Sequence, residues 1–275
     1  MNGFLRHVVL NGRLTDAADA LISPLSEGFM YGQGVFETVK VLHGRPVFFL
    51  QHFERLRRSA EALGLAPGPA AEELRECCGR CLAANGLEEG GLKIMVFRQG
   101  DGTGRLVAAR PLSYSKNKYE EGFAVKTLAG VRHGGGLFAW KTLNYLENFR
   151  AKQAAQAAGA DEALFVGTNR LVLEGATTNV FVVIGGEVLT PPADGCILPG
   201  IVRQQVLRLG RVREAPLLAS LLFEAEEVFL TNALLGVMPV REIDHKAFDL
   251  ASNPVTRGMA AALRGEQLRS VGQTG

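Results

Sequence analysis

The 275-residue sequence predicts an α+β chain made of two α/β domains. Three observations predict it. An amphipathic helical stretch over residues 50–64 is followed, past Pro67-Gly68-Pro69, by a second that runs to about Asn85. A polar stretch without apolar period, Pro111 to Gly122, reads as a connection between domains. Beyond it, short apolar strands separated by turns dominate. The implied boundaries are a small N-terminal domain over 1–115, a linker over 116–122 and a larger strand-rich domain over 123–275.

In chain order, Val8 to Leu14 reads as a hairpin on the Asn11-Gly12 turn. Gly28 to Thr38 follows. Its Gly32 and Gly34 imitate a dinucleotide fingerprint, but that motif needs a helix after the glycines. Val35 to Val41 alternates like a strand instead, so the glycines are expected to let backbone approach a ligand. The helix over 50–64 places Leu50, Phe53, Leu56 and Leu63 at apolar positions. It also carries Arg55, Arg57 and Arg58, a residue type normally solvated on a helix face. Gly91 to Arg98 is a strand, and Gln99 to Arg105 a polar, flexible loop. In the second half, strands fall near 123–128, 162–166, 171–174, 179–184, 187–190 and 227–230. Leu198-Pro199-Gly200 precedes a helix of about 201–210, and the tail from about Gly265 is expected to fray.

Composition narrows the function. Hydrophobic content of 47% with 21% charged residues fits a globular chain with a real core. A net charge of +2 gives no reason to expect nucleic acid or a membrane surface as partner. No apolar run approaches the roughly 20 residues of a membrane span. Met1 to His7 lacks a signal-peptide core and cleavage site, so a cytoplasmic location is expected. Cys78 and Cys81 have C-x-x-C spacing beside Cys77, but they fall on a helical stretch with no second ligand pair. They read as partly buried thiols. No metal-ligand spacing is present. His7, His43, His133 and His245 fall in turns or loops and are left outside the chemistry.

The chemistry centres on Lys141. A glycine run (Gly134 to Gly136) and an apolar, strand-like Leu137-Phe138-Ala139-Trp140 precede it. Good helix formers follow from Phe149 to Ala158. A lysine is ordinarily a solvated charge. One pinned at such a junction is partly desolvated, which disfavours its charged form and makes it a candidate Schiff-base nucleophile. Glu174 ends the apolar run Leu171-Val172-Leu173 and would be poorly solvated without a cationic partner. A protonated pyridine nitrogen is such a partner. Lys141 and Glu174 together match what pyridoxal 5'-phosphate asks of a protein.

Five segments carry a wider likeness: Gly28 to Thr38, His52 to Leu56, Lys141 to Tyr145 with Glu174 to Phe181, Leu198 to Arg203, and Thr231 to Val240. In this order they resemble the fold-type IV, or class IV aminotransferase-like, pyridoxal-phosphate enzymes, over about Val9 to Ile243. The resemblance implies two α/β domains with the cofactor between them, Lys141 on the C-terminal one, and a homodimer. It implies that Arg55 binds the cofactor phosphate together with the Gly200-Ile201-Val202 helix start and the Asn232-Ala233 turn. Thr178 joins the cofactor residues, Tyr145 meets the phenolic oxygen and Glu174 the ring nitrogen. His52 has a structural role near Arg55. Tyr31 and a loop arginine, Arg105 first and Arg98 second, are the substrate-binding candidates. Val202 stands where a threonine is common in the family, and Ala233 lacks a side-chain donor that many relatives have.

Two reactions fit this constellation. In both, Lys141 carries the cofactor and then removes the Cα proton as general base. An aminodeoxychorismate lyase releases pyruvate and forms 4-aminobenzoate for folate. A class IV aminotransferase passes the amino group of a branched-chain or D-amino acid to 2-oxoglutarate. The lyase is favoured by Gly236 in place of a glutamate common in the transaminases, by the Asn232 to Val240 pattern, and by Thr38, a hydroxyl placed to act as an acid. A pyridoxal-phosphate-binding protein without turnover is the remote third reading.

Overall fold

The structure, a computed structural model, describes residues 3–65, 68, 70–112, 114–130 and 136–272. Pro67, Pro69, His133, Gly134 and Gly135 lie outside the described residues. The chain divides into two compact units. One comprises Met1–Ser113, Trp140–Asn144 and Gln267–Gly275; the other comprises Tyr114–Ala139 and Tyr145–Glu266.

The first unit is a six-stranded sheet backed by helices. Its elements are β1 (His7–Leu10), β2 (Arg13–Asp16), α1 (Glu27–Met30), β3 (Gly34–Leu42), β4 (Arg45–Pro46), α2 (Phe49–Ala62), α3 (Ala71–Ala84), β5 (Gly90–Gln99) and β6 (Gly102–Arg110). The strand order is β2-β1-β6-β5-β3-β4. Alternation decides which face is buried. Val35, Val39, Ile94, Val96 and Val107 pack with Phe49 and Leu56 of α2 and with Leu74 and Cys78 of α3. The cysteines are core thiols: Cys77, Cys78 and Cys81 are all buried, and burial pushes the Cys81 thiol up to about 11.

Two expectations are corrected here. Gln99 to Arg105 is not a loop, because β5 and β6 pair without a gap from Gln99↔Gly102 to Gly91↔Arg110. Only Gly100 and Asp101 turn the chain, with Gly100 at φ +57°. Gly104 is a strand residue whose hydrogen leaves room for the Phe97 ring. The second correction concerns Gly32 and Gly34, which admit a neighbouring stretch of the same chain. A Cβ on Gly32 would lie 2.7 Å from Asn144 Oδ1, and one on Gly34 would lie 2.5 Å from a methyl of Leu143.

The second unit is built on a nine-stranded sheet. Its elements are α4 (Lys116–Glu121), β7 (Phe123–Gly130), α5 (Leu146–Ala157), β8 (Glu162–Gly167), β9 (Val172–Gly175), β10 (Asn179–Ile184), β11 (Glu187–Thr190), α6 (Ile201–Leu209), β12 (Val212–Glu214), α7 (Leu221–Glu224), β13 (Glu227–Asn232), β14 (Gly236–Ile243), β15 (Lys246–Ala247) and α8 (Pro254–Gly272), whose residues from Gln267 on belong to the first unit. The sheet order is β12-β11-β10-β13-β14-β7-β8-β9, with β15 on β14. Two sequence expectations give way. The polar stretch near 116–122 is a short helix rather than bare linker, and the half-buried Tyr119 packs against the core and bonds the Leu235 carbonyl at 2.7 Å. The tail does not fray at Gly265. Met259, Leu263, Gln267 and Val271 are buried at four-residue spacing, and α8 continues to Gly272.

Candidate active site

Lys141 lies in the first unit, although the sequence placed it on the C-terminal domain. The reason is local pairing. Phe36 N–H donates to the Lys141 carbonyl at 2.8 Å, Leu143 N–H donates to the Gly34 carbonyl at 2.9 Å, and Thr142 bridges Val35. The extended segment before the helix is therefore 141–143. Leu137–Ala139, read as strand-like, is a 3-10 turn. Lys141 is half-buried, and its nitrogen lies 4.6 Å from the centroid of the Phe36 ring. Thr38, two residues on from Phe36, is half-buried on the same face.

On the other face of β3 is a buried ionic cluster. Arg55 donates from Nε to Glu37 Oε1 and from Nη2 to Glu37 Oε2, both at 2.7 Å. This is the bidentate fork of a guanidinium on a carboxylate. It uses two of the five guanidinium N–H donors. His52 Nδ1 lies 2.7 Å from Glu37 Oε2. Because an ionised carboxylate only accepts, Nδ1 carries the proton. Burial raises the Glu37 carboxyl, but the Arg55 and His52 beside it outweigh that and hold it well below the usual carboxylate range. Burial pushes His52 down and Glu37 opposes it; the net direction is down, so the imidazole is neutral near pH 7.

The second unit carries the other half of the expected set. Glu174, buried, accepts from Leu198 N–H at 3.1 Å and from Asn179 Nδ2 at 3.3 Å. Asn179 Nδ2 also donates to the Leu198 carbonyl at 2.9 Å. Tyr145, at the N-cap of α5, donates its hydroxyl to the Ala176 carbonyl at 2.9 Å, and Asn148 donates to the same oxygen at 2.8 Å. Asn232 holds its own turn: Oδ1 accepts from Leu234 N–H at 3.0 Å and Leu235 N–H at 2.8 Å, and Nδ2 donates to the Thr177 carbonyl at 3.2 Å. Ala233 lies inside that turn.

Of the substrate candidates, Tyr31 caps α1 and is exposed. Arg105 lies on β6 and pairs with Glu73 of α3 at 2.8 Å, and Arg98 donates to the Gly64 carbonyl. The sequence reading missed Lys93, a half-buried lysine on β5 directly opposite Thr38. A lysine inside the apolar run Gly91 to Phe97 was the signal available.

The donors suit a phosphate-bearing pyridine. Gly200 precedes α6 with no side-chain cap, so the Ile201 and Val202 N–H groups at the helix start have no partner inside the helix. A Cβ at Gly200 would collide with the Asn179 side chain. The Thr178 and Thr231 hydroxyls are buried without a hydrogen-bond partner. Thr178 precedes Asn179, and Thr231 stands opposite it across β10 and β13. Orphaned buried hydroxyls cost about 1–3 kcal/mol each, and an anionic ligand would relieve that cost.

A half-buried lysine, a buried acid and an uncapped helix start are among the features a pyridoxal-phosphate enzyme requires. Residues 34–243 match the amino-transferase class IV family. The chain belongs to that family, whose enzymes use pyridoxal 5'-phosphate. It is 29% identical to a D-alanine aminotransferase of Bacillus licheniformis over 97% of this chain and 99% of that protein. Its fold is similar to a branched-chain aminotransferase of Thermoproteus uzoniensis, with TM-score 0.87, 28% identity and 98% of each chain covered. It is also similar to a Legionella pneumophila protein assigned provisionally as a 4-amino-4-deoxychorismate lyase. That match has TM-score 0.83 and 27% identity, covering 90% of this chain and 95% of that one.

Proposed function

We propose that the chain cleaves 4-amino-4-deoxychorismate to pyruvate and 4-aminobenzoate, with Lys141 as base and Thr38 as acid. Lys141 would carry the cofactor, and Arg55, Tyr145, Glu174, Thr178, Asn232, Ala233 and the Ile201-Val202 start of α6 are the further residues that would hold it. When bound, pyridoxal phosphate draws electrons from the substrate's amino-bearing carbon. Lys141 Nζ takes the proton from that carbon. Glu174 would favour the protonated form of the ring nitrogen. Thr38 Oγ1 gives a proton to the departing enolpyruvyl group.

The observation that carries the lyase reading is the place of Thr38. Thr38 shares a face of β3 with Phe36, whose ring lies 4.6 Å from the Lys141 nitrogen, which makes its hydroxyl a candidate for the leaving-group acid. Gly236 no longer adds to it. Its φ of +72° gives glycine a backbone reason to be there, whatever the reaction.

Amino transfer to 2-oxoglutarate is the second reading, and the aminotransferase names of the relatives favour it. Purified protein assayed with 4-amino-4-deoxychorismate, and in parallel with D-alanine or L-leucine plus 2-oxoglutarate, separates the two. The lyase reading expects 4-aminobenzoate, and Thr38→Ala slowing its release about 10²–10⁴-fold. Amino transfer without 4-aminobenzoate removes it.

The reading includes a homodimer. Leu21, Leu25, Phe29 and Tyr31 are each more than 65% exposed, and a second copy is the cover this reading assigns to them. Light scattering is expected to give twice the chain mass, and an active monomer would contradict this.

A further inference from the structure

The turn between β9 and β10 is held from three sides. The first hold is α5. Tyr145 at its N-cap, Asn148 and Lys152 are spaced three and four apart, so they line one side of the helix. Tyr145 and Asn148 both donate to the Ala176 carbonyl, at 2.9 and 2.8 Å. Lys152 Nζ donates to the Asp161 carbonyl at 2.5 Å and to Glu162 Oε2 at 3.2 Å. The second hold is β8. Thr177 Oγ1 donates to Glu162 Oε2 at 2.5 Å, and Ala176 N–H donates to the Ala163 carbonyl at 2.9 Å. The third is β13, from which Asn232 Nδ2 donates to the Thr177 carbonyl at 3.2 Å.

The Ala176 carbonyl is doubly occupied. A carbonyl oxygen has two lone pairs, and each has a donor here. Ala176 is buried, so water does not replace a donor that leaves. A tyrosine hydroxyl carries one proton. If Tyr145 gives that proton to a ligand, it gives up the carbonyl, and Asn148 alone keeps the oxygen satisfied. Asparagine is a weaker helix former than the alanine, lysine and glutamine residues that follow it in α5. Its amide serves the Ala176 turn rather than the helix.

We propose that Asn148 is a positioning residue for Tyr145. By holding the Ala176 carbonyl, it lets Tyr145 turn its one proton to the phenolic oxygen of the cofactor without leaving a buried acceptor unpaired. This rests on the reading that Tyr145 meets that oxygen. The Glu162–Thr177 bond and the Lys152 ion pair on Glu162 keep the turn in place while the tyrosine proton changes partner.

The test compares pyridoxal 5'-phosphate with its 3-deoxy analogue, which lacks the phenolic oxygen and is otherwise the same. Each is titrated into the whole chain freed of cofactor, and the dissociation constant is read from absorbance, so no turnover is needed. Asn148→Ala should weaken pyridoxal 5'-phosphate about 5- to 150-fold, the range for a buried acceptor losing its last donor, and leave the analogue unchanged. The loss should not exceed that of Tyr145→Phe, because the tyrosine proton can always stay on the carbonyl. In the Tyr145→Phe background, Asn148→Ala should cost pyridoxal 5'-phosphate nothing further. Alanine favours the helix, and retained binding of the analogue certifies the fold. Asn148→Leu, close in size and without a donor, gives the same comparison if the alanine variant does not fold. Equal weakening of both compounds would mark a structural role and overturn the proposal, as would unchanged affinity for pyridoxal 5'-phosphate. The two failures are distinguishable. If Tyr145→Phe itself does not separate the two compounds, the reading of Tyr145 falls and the proposal falls with it. If Tyr145→Phe separates them and Asn148→Ala does not, Asn148 alone is rejected.

Discussion

Two buried glutamates, one in each unit, are held in different ways. Glu37 is gripped by a full charge, the bidentate Arg55, with His52 on the same carboxylate. Glu174 accepts from neutral donors, the Leu198 N–H and the Asn179 amide. A carboxylate clamped by arginine is already neutralised and acts as structure: it fixes the angle of the Arg55 fork. An amide donor leaves a carboxylate's net charge in place, whereas a guanidinium fork cancels it. The same residue type thus meets a guanidinium in one unit and amide donors in the other.

Substitutions at these residues can break the comparison. Glu37→Gln should cost the most, about 3–5 kcal/mol of stability, because it leaves the Arg55 charge buried without its counter-ion. Urea denaturation checks this, and a loss under 1 kcal/mol would mean that Glu37 is not the clamp described. Glu174→Gln should leave stability nearly intact. Its expected effect is on rate, a fall of about 10²–10³ in kcat, equivalent to roughly 2.7–4 kcal/mol of transition-state stabilisation. A large melting-temperature drop with near-normal kcat would reverse the roles of the two glutamates. Arg55→Ala should weaken pyridoxal phosphate by about 1.5–3 kcal/mol, read as its dissociation constant, and slow saturated turnover less.

The smallest expected effect is on acid stability. The folded-state Glu37 carboxyl lies below its ordinary value of 4.5. Its contribution is therefore fully present above about pH 4.5 and is lost as pH falls toward the folded value. Wild type should lose more stability below pH 4.5 than Glu37→Gln does. Parallel acid curves for wild type and Glu37→Gln would count against the ionised pair.

The sequence shows the helices of the first unit, the hairpin at Asn11-Gly12 and most strands of the second, because their periodicity is local. Lys141 and Glu174 are visible because each interrupts an apolar neighbourhood. What it hides is long-range pairing. Gly100, Gly102 and Gly104 look like a loop until the Phe97 ring is seen lying over Gly104. Lys93 looks like an outward strand residue until β3 sets Thr38 and Phe36 beside it. The last helix escapes because Gly258, Gly265 and Gly272, each costing about 1 kcal/mol against alanine, mask the four-residue spacing of Met259, Leu263, Gln267 and Val271.

Lys141 is the lysine proposed to carry the cofactor, and borohydride reduction tests this directly. Protein loaded with pyridoxal phosphate is reduced, digested and mapped by mass. The pyridoxyl mass is expected on the peptide containing Lys141, and Lys141→Ala should take up no label and lose about 10⁴-fold or more of its turnover. Label on Lys93 or another lysine, or stoichiometric label in the Lys141→Ala protein, would contradict the assignment.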